Sequence, residues 1–499
     1  MDKGGSFLRL PIFYSALLLT LVNLLLRFAG TGFQVYLSGR IGAAGIGLLQ
    51  LVMSVNGLAV VAGIAGIRTA SMYLTAEELG KKKHGNVRWI LSGCFGYSIL
   101  CSGLVSTLLF SLAPMIAGRW IGYPETADAL RLFSLFLPVI CLANVMTGYF
   151  TAANRIGTLA AVEVAEQVLS MIITLGTLTV FADNDPLKAS LCVIFGSCAS
   201  ACLTLGCLVI LRMSEKPPRC PRIPVAARLK NTALPLGLAD ILKSGINTAE
   251  NLMVPRRLAL NAMVADPLAA FGIVSGMVFP VLMFPACILF GLAELLIPEL
   301  ARCAASGSQR RISYLVQKSL RLALLYGIFF GGLEFLLAEH LCSTLYRNPD
   351  AAQFLKLYAL LIPMLYCDAI VDAMTKGLGQ QKKCVRYNIL TSSMDVTFLY
   401  LLLPGYGMTG YFVSFALTHM VNFLLSLRLL LKITGERLPF YLPALAASAG
   451  LLSVWGSMQF MLPGARGISY ILLLGSLLCL FQITGREDIL WLKGLLRKK

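Results

Sequence analysis

Two arginines stand inside stretches too apolar to welcome them. Arg27 lies about midway along the run 12–37, and Arg68 in the last third of the run 47–75. Each run is long enough to cross a bilayer, which takes about 20 apolar residues. A guanidinium at that depth costs about 2.5–3.5 kcal/mol on insertion scales, so it turns to a wet cavity or to a partner. Asn23, Thr31 and Gln34 fall at −4, +4 and +7 from Arg27, on one helical face. Lys243 adds a cation in the run 233–255. Such groups offer charge-assisted hydrogen bonds to an anionic ligand. The plainer alternative is an arginine paired to a neighbouring helix for packing alone.

Acids and amides recur at helical spacing in other runs. Asp240, Lys243, Ser244, Asn247 and Asn251 form one stripe, and Glu163, Glu166, Ser170 and Thr174 another. Asp368, Asp372 and Thr375, then Asn388, Ser392 and Asp395, then Ser414, Thr418 and Asn422 make three more. Steps of three and four residues put each set on one face. For Ser, Thr and Asn the expected role is interhelical hydrogen bonding, at ~0.6 kcal/mol each. Intramembrane ionisable groups face the bundle interior or water. Asp240 and Lys243 can pair as i and i+3, and Glu163 and Glu166 read as a solvated face near the cytoplasmic surface.

Enzyme chemistry finds little support. There are three histidines, His84, His340 and His419, none with a carboxylate or cysteine partner at metal-ligand spacing. His419 reads as a hydrogen-bonded interior residue. No P-loop is present, and Gly42 to Gly47 is a turn between spans, with no strand before it. The 14 cysteines sit mostly inside apolar runs without a C-x-x-C pair, where cysteine acts as a small hydrophobe. No metal site or cofactor is expected, and a glycosyltransferase or acyltransferase would lack its acid, base or metal cluster.

The elements that must position these groups are membrane spans. The chain is 57% hydrophobic and 13% charged, about half the charged share of a soluble protein, with mean hydropathy +0.78. Hydropathy gives an all-α polytopic protein of about fourteen spans: 12–37, 47–75, 89–111, 130–152, 159–181, 188–211, 233–255, 269–297, 315–337, 353–376, 387–403, 410–431, 440–461 and 467–484. The first is read as an uncleaved span, being too long for a signal peptide. Asp183 to Pro186 and Leu403 to Gly407 mark turns. Pro138, Pro280, Pro285 and Pro363 lie inside spans and permit bends.

The net charge of +18 sits mostly in alternate loops. One side holds Lys81, Lys82, Lys83 and Arg88, Arg155, Arg212 to Lys230, Arg302, Arg310 and Arg311, Lys382, Lys383 and Arg386, Arg428, Lys432 and Arg437, and the tail Arg497 to Lys499. That side is cytoplasmic by the positive-inside rule, as are both termini if the span number is even. The charge therefore marks orientation in a membrane rather than nucleic-acid binding. A Pro-rich basic tether, 213–232, divides an N-terminal lobe, 1–212, from a C-terminal lobe, 233–431. Residues 432–499 add a terminal pair and a tail. A faint repeat at an offset of 225 residues relates Pro138 and Arg155 to Pro363 and Gln380, as expected of two six-span lobes with a pseudo-two-fold relation.

Three segments carry a resemblance: RIGAAGIGLLQLVMSVNGLAVVAGIAGIRTASMYLTAEE (40–78), NLMVPRRL (251–258) and DVTFLYLLLPGYGMTGYFVSFALTHMVNFLLSLRLLLKITG (395–435). They resemble the stage V sporulation protein B-like polysaccharide-biosynthesis proteins of the multidrug/oligosaccharidyl-lipid/polysaccharide exporter superfamily, to which the lipid II flippases are related. The resemblance implies two lobes working by alternating access on a polyprenyl-diphosphate-linked sugar. It puts Arg27 where lipid II flippases carry a first-helix arginine of the central cavity. Phe33 stands where a second arginine is usual and Gln34 where an acid is usual. It also implies a sodium site from an acid on the seventh helix and polar ligands on the eleventh and twelfth, which Asp240, Thr391 and Asp395 can supply.

The expectation is therefore a monomeric flippase that binds an anionic lipid-linked glycan through Arg27, Arg68, Lys243, Asn23 and Gln34. Coupling to Na+ or H+ would run through Asp240, Thr391, Asp395, Asp368 and Asp372. The alternatives are a cation-coupled multidrug exporter of the same fold and a non-transporting scaffold in envelope or spore assembly.

Overall fold

The computed structural model describes residues 9–481 apart from 82, 84, 154, 182–184, 214–224 and 437–440. The basic tail, most of the 213–232 tether, His84 and the side chain of Asn23 lie outside the described residues. Every regular element described is helical. In chain order the α-helices are α1 (Arg9–Ile64), α2 (Ile67–Gly80), α3 (Asn86–Met115), α4 (Ala127–Ala152), α5 (Ile156–Phe181), α6 (Pro186–Met213), α7 (Ala226–Leu258) and α8 (Pro267–Gly272). There follow α9 (Phe279–Leu282), α10 (Ala286–Ala305), α11 (Gln309–Leu345), α12 (Asp350–Ala359), α13 (Ile362–Gly377), α14 (Gln381–Thr434), α15 (Tyr441–Ser457) and α16 (Pro463–Leu480).

Two helices are too long to cross once. At 1.5 Å per residue, α1 with its 56 residues runs about 84 Å, against a hydrocarbon core of ~30 Å. Both α1 and α14 are broken by a glycine in the left-handed region, Gly42 (φ 68) and Gly407 (φ 54). These are the glycine turns expected at 42–47 and 403–407, and a side chain at either position would be strained. By length and apolarity eight described helices qualify as spans, or ten with each bent pair counted as one span. Outside that set, α15 has only 17 residues, and α7 is lined with Asp240, Lys243, Glu250, Arg256 and Arg257.

The prolines do not act alike. A 66° bend separates Pro267–Leu282 from Ala286–Ala293 at Pro285, and a 54° bend separates α12 from α13 just before Pro363. Pro138 sits inside α4 with no break.

The chain forms two compact units, Met1–Gly276 with Leu399–Met408, and Met277–Phe398 with Thr409–Lys499. Packing thus groups α7, the seventh helix of the sequence, with unit 1. Its N-terminal turn is fixed by Arg228, whose guanidinium donates to Glu78 (2.8 Å) and Glu77 (2.7 Å) at the end of α2. Further along, Thr248 and Asn251 donate to the carbonyl and hydroxyl of Ser54 on α1 (3.1 and 3.0 Å).

Lipid tails are as apolar as leucine, so helices associate in a bilayer by close packing rather than by excluding water. Unit 1 does this where backbones touch. A Cβ on Gly272 would strike the carbonyl of Ala43, and one on Gly47 the carbonyl of Leu268. The α14 tip joins this unit through Asn261, which donates to Pro404 O (3.1 Å), and through Arg257 over the Tyr400 ring. In unit 2, α16 closes on α11 at Gly332, where the Tyr470 hydroxyl donates to Ile328 O (2.7 Å).

Candidate functional site

Arg68 occupies the first turn of α2, directly after a backbone break. Ala65 (φ 43) and Gly66 (φ 76) interrupt the helix in the left-handed region. Ala65 is tolerated there because its neighbours hold it. Tyr97 of α3 donates to Ala65 O (3.3 Å), and Gly237 of α7 packs on the same residue, where a Cβ would come within 2.5 Å of its carbonyl carbon. Gly148 of α4 seats against Arg68 O with a Cβ approach of 2.5 Å. The backbone of Arg68 is therefore clamped by α4 while its side chain is exposed.

No side chain caps the N-terminus of α2. A helix start leaves backbone N–H groups without intrahelical acceptors and carries about half a positive charge. Arg68 adds a full charge in that turn, and among the described residues it has no hydrogen bond or ion pair. Glu163 on α5 lies within electrostatic reach of it without forming an ion pair. The pair of glutamates at 163 and 166 is half-buried in unit 1 rather than fully solvated.

The other cations belong to the same unit. Gly237 marks where α7 crosses the break, and Asp240 and Lys243 follow it by about 4.5 and 9 Å of helix rise. Both are exposed, and no ion pair joins them, so the expected i, i+3 pairing does not form. Arg27 is exposed on α1, one turn before Gly30, which lies against Gln167 of α5. Gln34 is committed in part, since its amide donates to Gly276 O at 2.9 Å. Its carbonyl oxygen is the group left for a ligand.

Unit 2 holds a different arrangement. The break at Gly407 folds α14 back on itself, and the pairs 395/418 and 391/422 are both centred on the Tyr406–Gly407 peptide. Asp395, 5% exposed, accepts from Ser414 (2.5 Å) and Thr418 (3.2 Å) through one oxygen. Asn422 donates to Asp368 on α13 (3.1 Å) and accepts from Thr391 (3.5 Å). Asp372 pairs with Lys376 at 2.5 Å. Of the five residues expected to couple an ion, Thr391, Asp395 and Asp368 are thus linked into a ladder by Ser414, Thr418 and Asn422. Asp372 sits in its own pair one turn from Asp368, and Asp240 belongs to unit 1. His419 hydrogen-bonds the carbonyl of Phe415 (3.0 Å) and stacks on that ring, the interior role expected of it. The hydroxyl partners of Asp395 were visible as a polar stripe. What gave them a role was the fold-back at Gly407.

Comparison with known proteins matches two overlapping stretches of the chain. Residues 13–258 match the family model described as polysaccharide biosynthesis protein, and residues 235–401 match the model described as MatE. The stage V sporulation protein B of Bacillus subtilis (strain 168) is 22% identical over 407 residues, 79% of this chain and 78% of that one. Among solved structures, a multidrug resistance MATE family transporter in an inward-facing conformation superposes with a TM-score of 0.66 at 13% identity, over 84% of this chain and 98% of that one. The lipid II flippase MurJ in an inward closed conformation gives 0.65 at 13% identity, over 95% and 98%.

Proposed function

We propose a transport function on one premise: the chain belongs to the multidrug/oligosaccharidyl-lipid/polysaccharide exporter superfamily. It is a multi-span membrane protein of that group, and its cargo is a polyprenyl-diphosphate-linked glycan, an oligosaccharide or a peptidoglycan precursor. The protein moves the cargo across the cytoplasmic membrane by alternating access, as a carrier and not as an enzyme. Both termini and the basic loops face the cytoplasm, and the working form is a monomer among membrane lipids.

The observation that carries this reading is Arg68, exposed without an ion-pair partner among the described residues and set in the uncapped first turn of α2. A diphosphate suits the exposed guanidinium, which donates to phosphate oxygens. Lys243 and Arg27 supply further charge and the Gln34 carbonyl a polar group, and Asn23 is expected from its sequence spacing to join them. No cofactor takes part. The ladder of Asp395, Thr391 and Asp368, with Asp372 and Asp240, couples transport to Na+ or H+. The membrane potential adds ~2.3 kcal/mol per charge per 100 mV in the outward direction for an anion.

The test is reconstitution of the full chain in proteoliposomes carrying a fluorescent lipid-linked oligosaccharide in both leaflets. A membrane-impermeant quencher should reach the whole pool when the protein is present and about half without it. Equal quenching in the two cases overturns the reading.

The match of residues 235–401 to MatE supports a second reading, a cation-coupled multidrug exporter. A drug-efflux screen in a sensitised host decides between the two, since that exporter raises resistance and a glycan flippase does not.

A further inference from the structure

One acid of unit 2 has no role in the ladder. Glu334 on α11 is 5% exposed, and neither of its carboxyl oxygens has a hydrogen-bond partner among the described residues. Other acids of the unit are answered: Asp395 by two hydroxyls, Asp368 by Asn422, Asp372 by Lys376 and Glu339 by Lys356.

Glu334 shares a helix face with Gly327 and Gly331. A Cβ on Gly327 would lie 2.6 Å from Pro363 Cα, and one on Gly331 would lie 3.0 Å from Ala359 O. That face is therefore seated on the 54° bend between α12 and α13. Tyr326 and Tyr366, both within electrostatic reach of Glu334, donate to Pro285 O (2.8 Å) and Leu282 O (2.9 Å). Those carbonyls flank the 66° bend before α10. The acid thus lies among two broken spans, and its tyrosine neighbours are tethered to one of the breaks.

The titratable groups around it are few. Its own helix offers Tyr326 and Cys342, α13 offers Tyr366, and α10 offers Cys287 beside the two tyrosines. On α12, Lys356 is committed to Glu339, and the Tyr358 ring packs among Phe279, Phe412 and Phe415. Tyr470 of α16 is spent on Ile328 O, and α15 carries no titratable side chain over 443–457. No cation within the described residues answers Glu334.

A buried carboxylate without counter-charge or donor is strongly disfavoured, so ionisation requires the surrounding helices to open or admit water. A leucine or glutamine would fill the same space without that constraint. We propose that Glu334 is a proton-binding site of unit 2, holding its proton while α12–α13 is bent as described and releasing it when that bend changes. The acid couples proton uptake to helix bending, and it is distinct from the Asp395 ladder.

The test uses the full chain in lipid nanodiscs and needs no cargo, so its failure leaves the transport reading standing. Infrared difference spectra of the wild-type protein across an acid-to-alkaline titration should show a protonated-carboxyl C=O band that is lost as pH rises. Glu334→Gln should lack that band. Hydrogen exchange over 350–377, corrected for its intrinsic pH dependence, should quicken in step with the loss of the band in the wild type and stay level in the variant. A wild-type spectrum without a titrating band, or identical spectra for both proteins, overturns the proposal. So does a variant whose exchange follows pH as the wild type does.

Discussion

Unit 1 and unit 2 handle charge in opposite ways. In unit 1 the side chains of Arg68 and Lys243 are exposed without an ion pair among the described residues, and the Arg68 backbone is held by close packing against α4. Two acids of unit 2, Asp395 and Asp368, are drawn inside and answered by hydroxyls and an amide from the folded-back halves of α14. An exposed, uncompensated charge contributes little to folding and is free to meet a ligand. A buried, hydrogen-bonded one is part of the fold, and removing it leaves donors stranded. The contrast separates where a cargo headgroup would bind from where an internal proton or cation would be held.

That contrast sets the order of mutational effects on stability. Asp395→Ala should be most damaging, about 1.5–3 kcal/mol, because it removes the buried carboxylate that accepts from Ser414 and Thr418. Thermal unfolding of the purified protein measures it, and a neutral result would mean the ladder is not a stabilising network. Gly237→Val should cost ~1–3 kcal/mol by forcing α7 off the Ala65–Gly66 break. The same variant should lower transport more than its stability loss accounts for, since it displaces the turn that holds Arg68. Asn422→Ala should cost about 1 kcal/mol, the net worth of a typical hydrogen bond. Arg228→Ala should cost about as much, because its pair with Glu77 is partly exposed and screened by salt while Glu78 is buried and keeps Asn86 as its other donor. A loss abolished entirely by high salt would mean that the Glu78 contact adds nothing.

Much of this arrangement was legible in the sequence. Glycines in GAAGIG and PGYG announced the turns that break α1 and α14, because only glycine takes those angles without strain. Spacing of three and four residues put Asp395, Ser414, Thr418 and Asn422 on inward faces. Which stripes would meet was not legible, since that depends on the register of the fold-back at Gly407. The grouping of α7 with unit 1 was also hidden, because it rests on backbone contact at Gly66 and Gly237, which leaves no hydrophobic signature. Asp240 and Lys243, compatible in spacing with a pair, are both exposed and do not meet. Glu334 escaped notice as a single acid in an apolar run, without the recurrence that drew attention to the other stripes. Proline gave a partial signal: Pro285 and Pro363 stand at bends, while Pro138 does not.

The central claim is that Arg68 binds cargo and does not hold the fold together. Translocation of a fluorescent lipid-linked oligosaccharide by Arg68→Ala, measured beside its thermal unfolding, tests it most directly. Losing a charge-assisted bond should slow transport by about 10-fold or more while the unfolding temperature stays at the wild-type value. Wild-type transport in Arg68→Ala would contradict the account, as would a slowing that an equal loss of folded protein explains.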